Sequence, residues 1–229
     1  MQLTTFRVFN FDADGTLFDT TQAKAKAFVK IWCQVFGSSE EEVMTSYLYR
    51  VTHREPGVTT EIFFNQMGIE FLGHALSHEK FTELETAFTQ LLKQSLPGLL
   101  MIDGAPELLK DLHAAGATMV ISTMALHDEI TARMNAVPDV AQCFAAIRGG
   151  NGLFVKGQPH MQKLIEIAGC EPAEVLVVGD EPKDFVVARD AGTKVALVAQ
   201  THDYGVLAAL KPDILVRTIA ELRPFLLLS

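Results

Sequence analysis

Cysteine is scarce in this chain of 229 residues: Cys33, Cys143 and Cys170 are the only three, and they lie far apart. They form no metal-type spacing and an odd number cannot all pair, which argues against a disulfide framework. A reducing cytoplasm is the expected compartment. Cations are also in short supply, with 19 Lys and Arg against 28 Asp and Glu and a net charge of -9. Broad nucleic-acid binding needs clustered Lys and Arg, so it is not expected. An anionic small substrate stays compatible, because a local site can be positive in an acidic protein. No apolar run approaches the length of a membrane span, and no basic segment leads into an apolar one as in a secretory leader. The apolar tail Phe225-Leu226-Leu227-Leu228 is too short to span and is expected to pack on the core. What remains is the balance of a folded globular chain, 48% hydrophobic and 21% charged. It is long enough for one large domain, or for a core with a smaller insertion. The composition does not fix an oligomeric state.

The chain is punctuated in a regular way. Phe6 to Phe11 is an apolar run ended by Asp12-Ala13-Asp14-Gly15-Thr16, which reads as a buried strand feeding a turn. Apolar residues then recur at helical spacing: Phe28, Ile31, Trp32 and Val35; Val43, Met44, Tyr47 and Leu48; Phe81, Leu84, Phe88 and Leu91. His53-Arg54-Glu55-Pro56-Gly57 interrupts them as a loop. Residues 20–100 therefore read as a helical insertion, with 1–19 and 101–229 as the core. After Pro97-Gly98 helices and strands alternate. A helix over 106–113 stops at Gly116, and a strand follows through Met119, Val120 and Ile121. A helix over 127–134 precedes a weak strand at 144–147. Pro159 opens a helix stopped by Gly169, and strands are predicted at 175–178, 194–198 and 214–216. Such alternation predicts an α/β fold, with a Rossmann-like parallel sheet covered on both faces.

Ligands of parallel sheets bind at the carboxyl ends of the strands. Three predicted strands here end in groups suited to chemistry: Asp12 and Asp14, Ser122 and Thr123, and Asp180 with Asp184. Two carboxylates two residues apart can divide the labour, one attacking phosphorus and the other moving a proton. Taken alone, Asp12-Ala13-Asp14-Gly15 also fits an acidic turn. Gly179-Asp180-Glu181-Pro182-Lys183-Asp184 offers carboxylates to a magnesium ion, or simply caps a helix. Thr123 fits a phosphate contact or a cap. Lys156 fits a phosphate-neutralising role or a solvated surface lysine.

In order and spacing these residues resemble the four-motif signature of the haloacid dehalogenase superfamily. The first motif stands as Phe11-Asp12-Ala13-Asp14-Gly15-Thr16-Leu17-Phe18-Asp19-Thr20, the second is Thr123, the third Lys156, and the fourth Gly179-Asp180 with Asp184. The resemblance spans nearly the whole chain, includes a helical cap domain after the first motif, and is closest to the phosphoglycolate phosphatase-like branch. It implies a magnesium-dependent phosphatase acting on a small phosphorylated metabolite through a phosphoaspartate. Asp12 is the implied nucleophile and a metal ligand. Asp14 is the implied general acid and base, its backbone carbonyl also on the metal. Thr123 and Lys156 hold the phosphoryl group; Asp180 and Asp184 complete the Mg2+ site.

Three departures stand out. Met124 occupies a position where relatives often carry Asn, Glu181 replaces a small hydroxyl residue, and the third motif reads Lys156-Gly157-Gln158-Pro159. Counting back from Gly169 selects Lys156 over Lys163 as the phosphate lysine. The cap loop offers His53 and Arg54 as candidates for substrate selection, Arg54 toward an anionic group. The same residues would also serve a sugar phosphomutase or another phosphotransferase. A reading of another class is a non-catalytic binding protein on the same fold.

Overall fold

The computed structural model describes residues 2–54, 58–150 and 158–228. A short strand β1 (Gln2–Leu3) precedes β2 (Val8–Phe11). Helices α1 (Thr20–Phe36), α2 (Glu40–Thr52), α3 (Thr60–Leu72) and α4 (His78–Ser95) come next. The chain then alternates through α5 (Ala105–Ala114), β3 (Thr118–Leu126), α6 (His127–Asn135), α7 (Pro138–Ala141), β4 (Phe144–Gly150) and α8 (Gln158–Ala168). It continues through β5 (Val175–Gly179), α9 (Pro182–Asp190), β6 (Lys194–Val198), α10 (Tyr204–Ala209) and β7 (Ile214–Val216). It closes with α11 (Arg223–Leu226) and β8 (Leu227–Leu228). Two compact units emerge: Met1–Asp19 with Pro97–Ser229, and Thr20–Leu96.

The first unit holds a six-stranded parallel sheet in the order β4-β3-β2-β5-β6-β7. Its central strands, Val8-Phe9-Asn10-Phe11 and Val175-Leu176-Val177-Val178, are buried at every residue. A parallel strand buried on both faces needs no polar alternation, which is why these runs are apolar almost throughout. Alternate residues serve opposite faces. Phe9, Phe11, Leu176 and Val178 pack with Leu108 and Leu109 of α5 and Ile130 of α6. Val8, Val175 and Val177 pack with Met161 of α8, Val187 of α9 and Leu207 of α10. Each such fully buried Val, Leu, Ile or Phe is worth about 1.5–3 kcal/mol. The strands run outward from β2 in both directions, so chain order reverses there and leaves a crevice at the carboxyl ends of β2 and β5.

The second unit is held by aromatic side chains at helical spacing. Phe28 of α1 is fully buried, stacked on Trp32 at 5.3 Å between ring centres and met edge-on by Phe63 and Phe64 of α3. Tyr47 of α2 lies 5.0 Å from Phe28, and burial pushes its phenol up to about 12. Thr59 and Ser77 cap α3 and α4 by accepting from the N–H groups of Ile62 and Lys80.

The elements depart from expectation at three places. β2 begins at Val8, and Phe6 only approaches it, packing edge-on against Phe9 at 6.4 Å. β3 runs on to Leu126, five residues past Ile121, with a register shift against β4 between Ser122 and Leu126. Gly149 and Gly150 permit this extension: a Cβ on Gly149 would sit 2.5 Å from the Cα of His127. In the tail, Leu226 and Leu227 are buried as expected, but Phe225, on α11, and Leu228, on the two-stranded β1–β8 pair, are exposed. All three cysteines are free thiols.

One ion-pair cluster ties β6 to the approach of β7. Asp213 accepts from Lys194 Nζ at 2.9 Å, Arg189 Nη1 at 2.9 Å and the Val195 N–H at 3.0 Å. Burial by itself raises the Asp213 carboxyl, but Lys194, the Val195 N–H and Arg189 outweigh it and hold the carboxyl below its usual range. A depressed carboxyl gives stability that is present above its unfolded-state pKa and lost as pH falls through its folded value. Asp213→Asn should therefore lower Tm at neutral pH, with the gap to wild type closing in acid. A pH series of thermal melts checks this, and a gap of constant size would refute it.

Candidate active site

The site begins where β2 and β5 end side by side. Phe11 pairs with Val178, and the Asp12 N–H donates to the Val178 carbonyl at 2.8 Å, so the Asp12 side chain follows directly on the last paired residue. The chain then turns sharply. The Ala13 carbonyl accepts from the N–H groups of Leu17 and Phe18, both at 2.9 Å, and Gly15 adopts a φ of +80°. That φ suits glycine, but space matters as much: a Cβ on Gly15 would lie 2.2 Å from Asp180 Oδ2. Gly179 stands in the same relation to Asp184, whose Cγ would lie 2.1 Å from an added Cβ. Each glycine vacates the volume that a carboxylate fills.

Asp12, Asp180 and Asp184 converge, with one carboxylate oxygen from each lying within 4.8 Å of the others. Asp180 and Asp184 are buried and Asp12 is half-buried. Thr16 Oγ1 donates to Asp180 Oδ1 at 2.9 Å, and the Thr201 hydroxyl donates to its Oδ2. Asp184, in the first turn of α9, accepts the Glu181 N–H at 3.1 Å. Burial, and then the charges of Glu181, Asp12 and Asp184, push the Asp180 carboxyl well above its ordinary range, against the Thr201 hydrogen bond. Clustered, desolvated carboxylates of this kind are costly by themselves and match a hard divalent cation, which prefers oxygen donors. The donor set therefore fits Mg2+.

Asp14 leaves the same loop and accepts from Arg133 Nη1 at 2.6 Å. Thr123 is buried near the end of β3, where its hydroxyl accepts the Ala125 N–H at 3.2 Å, while Met124 beside it is exposed. Lys156 lies outside the described residues. Lys163 sits on the open surface of α8, paired with Glu166 at 3.4 Å. In the second unit His53 stacks on Tyr49 at 4.3 Å, with Nδ1 at 2.9 Å from the Tyr49 carbonyl. The Arg54 guanidinium donates to the Val58 carbonyl at 2.5 and 3.2 Å.

Three contributors were not foreseen from sequence. Thr16 was visible only as part of the turn after Asp14. Thr201 follows β6 and carries no local pattern that sets it apart. Arg133, in the last turn of a helix, reads as an ordinary C-terminal cation.

A parallel α/β core with an acidic, cation-suited cluster at its topological switch point has its candidate site where such folds bind ligands. The family profile of haloacid dehalogenase-like hydrolases matches residues 10–198, and the chain belongs to that family. It is 25% identical over 236 residues to the pyrophosphatase PpaX of Bacillus velezensis, covering 93% of this chain and 92% of that one. It is 30% identical over 133 residues to the phosphoglycolate phosphatase of Vibrio vulnificus, covering 54% and 55% of the two chains. Among solved structures, a haloacid dehalogenase-like family hydrolase from Streptococcus pneumoniae superposes with a TM-score of 0.75 at 16% identity, covering 96% and 98%. A family hydrolase from Deinococcus radiodurans, solved with bound phosphate and sodium, gives 0.73 at 16%, covering 96% and 95%. At these identities the superpositions establish the fold, a Rossmann-like core of the family's kind.

Proposed function

We propose that this enzyme is a magnesium-dependent phosphatase that hydrolyses a small phosphorylated metabolite through a phosphoaspartate on Asp12. The observation that carries the reading is the convergence of Asp12, Asp180 and Asp184 beside Asp14 at the ends of β2 and β5. Asp12, Asp180, Asp184 and the Asp14 backbone carbonyl hold the ion. Bound there, magnesium supplies charge neutralisation and a fixed orientation for the phosphate.

An Asp12 carboxylate oxygen attacks phosphorus as the bond from phosphorus to the ester oxygen breaks. Asp14 gives its proton to that leaving oxygen. Water then attacks the phosphorus of the acyl phosphate, Asp14 takes a water proton, and Asp12 is regenerated. Thr123 and Lys156 hold the phosphoryl oxygens through both steps, which ask mainly for alignment and charge neutralisation. The names of the PpaX and phosphoglycolate phosphatase relatives support a small anionic substrate. In this reading residues 1–19 and 101–229 form the catalytic core, and 20–100 form a cap whose loop, with His53 and Arg54, selects the substrate. A cytoplasmic setting suits the three free thiols.

The test is to trap the intermediate. Wild-type enzyme mixed briefly with a radiolabelled phosphomonoester and quenched in acid should retain label that hydroxylamine removes, carried on the peptide containing Asp12. Turnover with no such label at any quench time would overturn the phosphoaspartate.

A further inference from the structure

Arg133 is an expensive residue to bury. It lies in the last turn of α6 and is 1% exposed. Its guanidinium rests over the Phe18 ring at 5.3 Å. Nη1 donates to Asp14 Oδ1 at 2.6 Å, but Nε and Nη2, both buried, meet no hydrogen-bond partner among the described residues. A buried guanidinium normally has its donors satisfied, because each unmade bond carries a desolvation cost. Packing does not ask for this charge: a thioether or alkyl chain of similar volume would fill the space on Phe18 with no unsatisfied N–H. What only the guanidinium provides is the short contact to Asp14.

We infer that Arg133 is the positioning residue for Asp14, fixing the direction in which its carboxyl points for the water-attack half of the reaction. The inference rests on the phosphatase reading and goes a step further into it. In that half-reaction a water oxygen bonds to phosphorus, and the bond from phosphorus to the Asp12 oxygen breaks with its electron pair returning to Asp12. One water proton passes to the Asp14 carboxylate, and the other stays on the departing phosphate. The acceptor must point at the water. A planar donor held over an aromatic ring supplies that condition, since its short, directional hydrogen bond keeps the Asp14 carboxyl in one rotamer.

An activated aryl phosphate separates the two halves. With 2,4-dinitrophenyl phosphate the leaving group needs no proton, so formation of the phosphoenzyme, read by kcat/KM, does not call on Asp14. Its hydrolysis, read by kcat when that step limits, does. Arg133→Met should lower kcat by about 100-fold, the lower end of the range for one acid–base group. KM should fall with it, so that kcat/KM drops far less, and acid-quenched samples should hold more phosphoenzyme at steady state. Arg133→Lys, which keeps a charge but not the fork, should show the same split in smaller degree and serves if the Met variant does not fold. Asp14→Asn is the control for the underlying reading. If Asp14→Asn shows no split, the role of Asp14 itself is wrong. If Asp14→Asn shows it while the Arg133 variants lose kcat and kcat/KM in parallel, or lose neither, then Arg133 is a packing residue and the inference falls. The double variant should be no worse than Asp14→Asn alone; an additive loss would likewise place Arg133 outside this function.

Discussion

Asp12→Asn protein should fold as wild type does and turn over phosphomonoesters on the order of 10⁴-fold more slowly, or not measurably. The amide has nearly the shape of the carboxylate, and the backbone hydrogen bond from Asp12 to Val178 is untouched by the change. The lost property is chemical: a carboxamide is not an anionic nucleophile and cannot form the acyl phosphate. A second consequence follows from the crowding. The charge on Asp12 is one of those pushing Asp180 away from its ionised form, so removing it relieves repulsion inside a desolvated cluster. Metal-free Asp12→Asn should thus melt no lower than metal-free wild type, the pattern of a site that trades stability for activity. Steady-state rates and thermal melts on the same chelated and reloaded samples check both parts. Wild-type-like turnover would overturn the nucleophile, and a large drop in Tm would show that Asp12 also carries structural weight.

Much of this was legible beforehand, for reasons that differ by residue. Val175-Leu176-Val177-Val178 announces a strand buried on both faces, because a short, β-branched apolar run followed by glycine fits a central parallel strand. Asp12 and Asp180 were legible because their strands are, and because carboxyl ends of strands at a switch point are where ligands bind. The extension of β3 to Leu126 was not legible: Met124 and Leu126 are exposed, and what permits the pairing is the bareness of Gly149 and Gly150 on the partner strand. The same holds for Arg133 and Thr201. Each acts on a carboxylate far away in sequence, Arg133 on Asp14 and Thr201 on Asp180. Periodicity and motif spacing report only neighbours along the chain. Gly15 and Gly179 lie between the two cases. Their turn chemistry is local, but the volume that they vacate is read only once Asp180 and Asp184 are in place.

Exhaustive removal of divalent metal should abolish turnover, and magnesium added back should restore it. The cause is visible in the charges. Asp12, Asp180 and Asp184 bring three carboxylates to within 4.8 Å, with Glu181 adding to the field at Asp180. Hydroxyl donors from Thr16 and Thr201 orient Asp180 but bring no positive charge. A phosphate dianion entering that cluster would meet net repulsion unless a cation neutralises it first. The metal also has a signature that needs no substrate. It binds the folded arrangement of carboxylates and not the unfolded chain, so magnesium should raise Tm. At a free concentration of 100 times Kd the linkage amounts to about 2.7 kcal/mol. Asp180→Asn should lose most of that shift, because it removes the charge from a buried ligand and leaves an amide between the two threonine donors. Full turnover in the metal-free enzyme, or a Tm indifferent to magnesium in wild type, would remove the ion from the mechanism. The crowded carboxylates would then need another source of neutralisation.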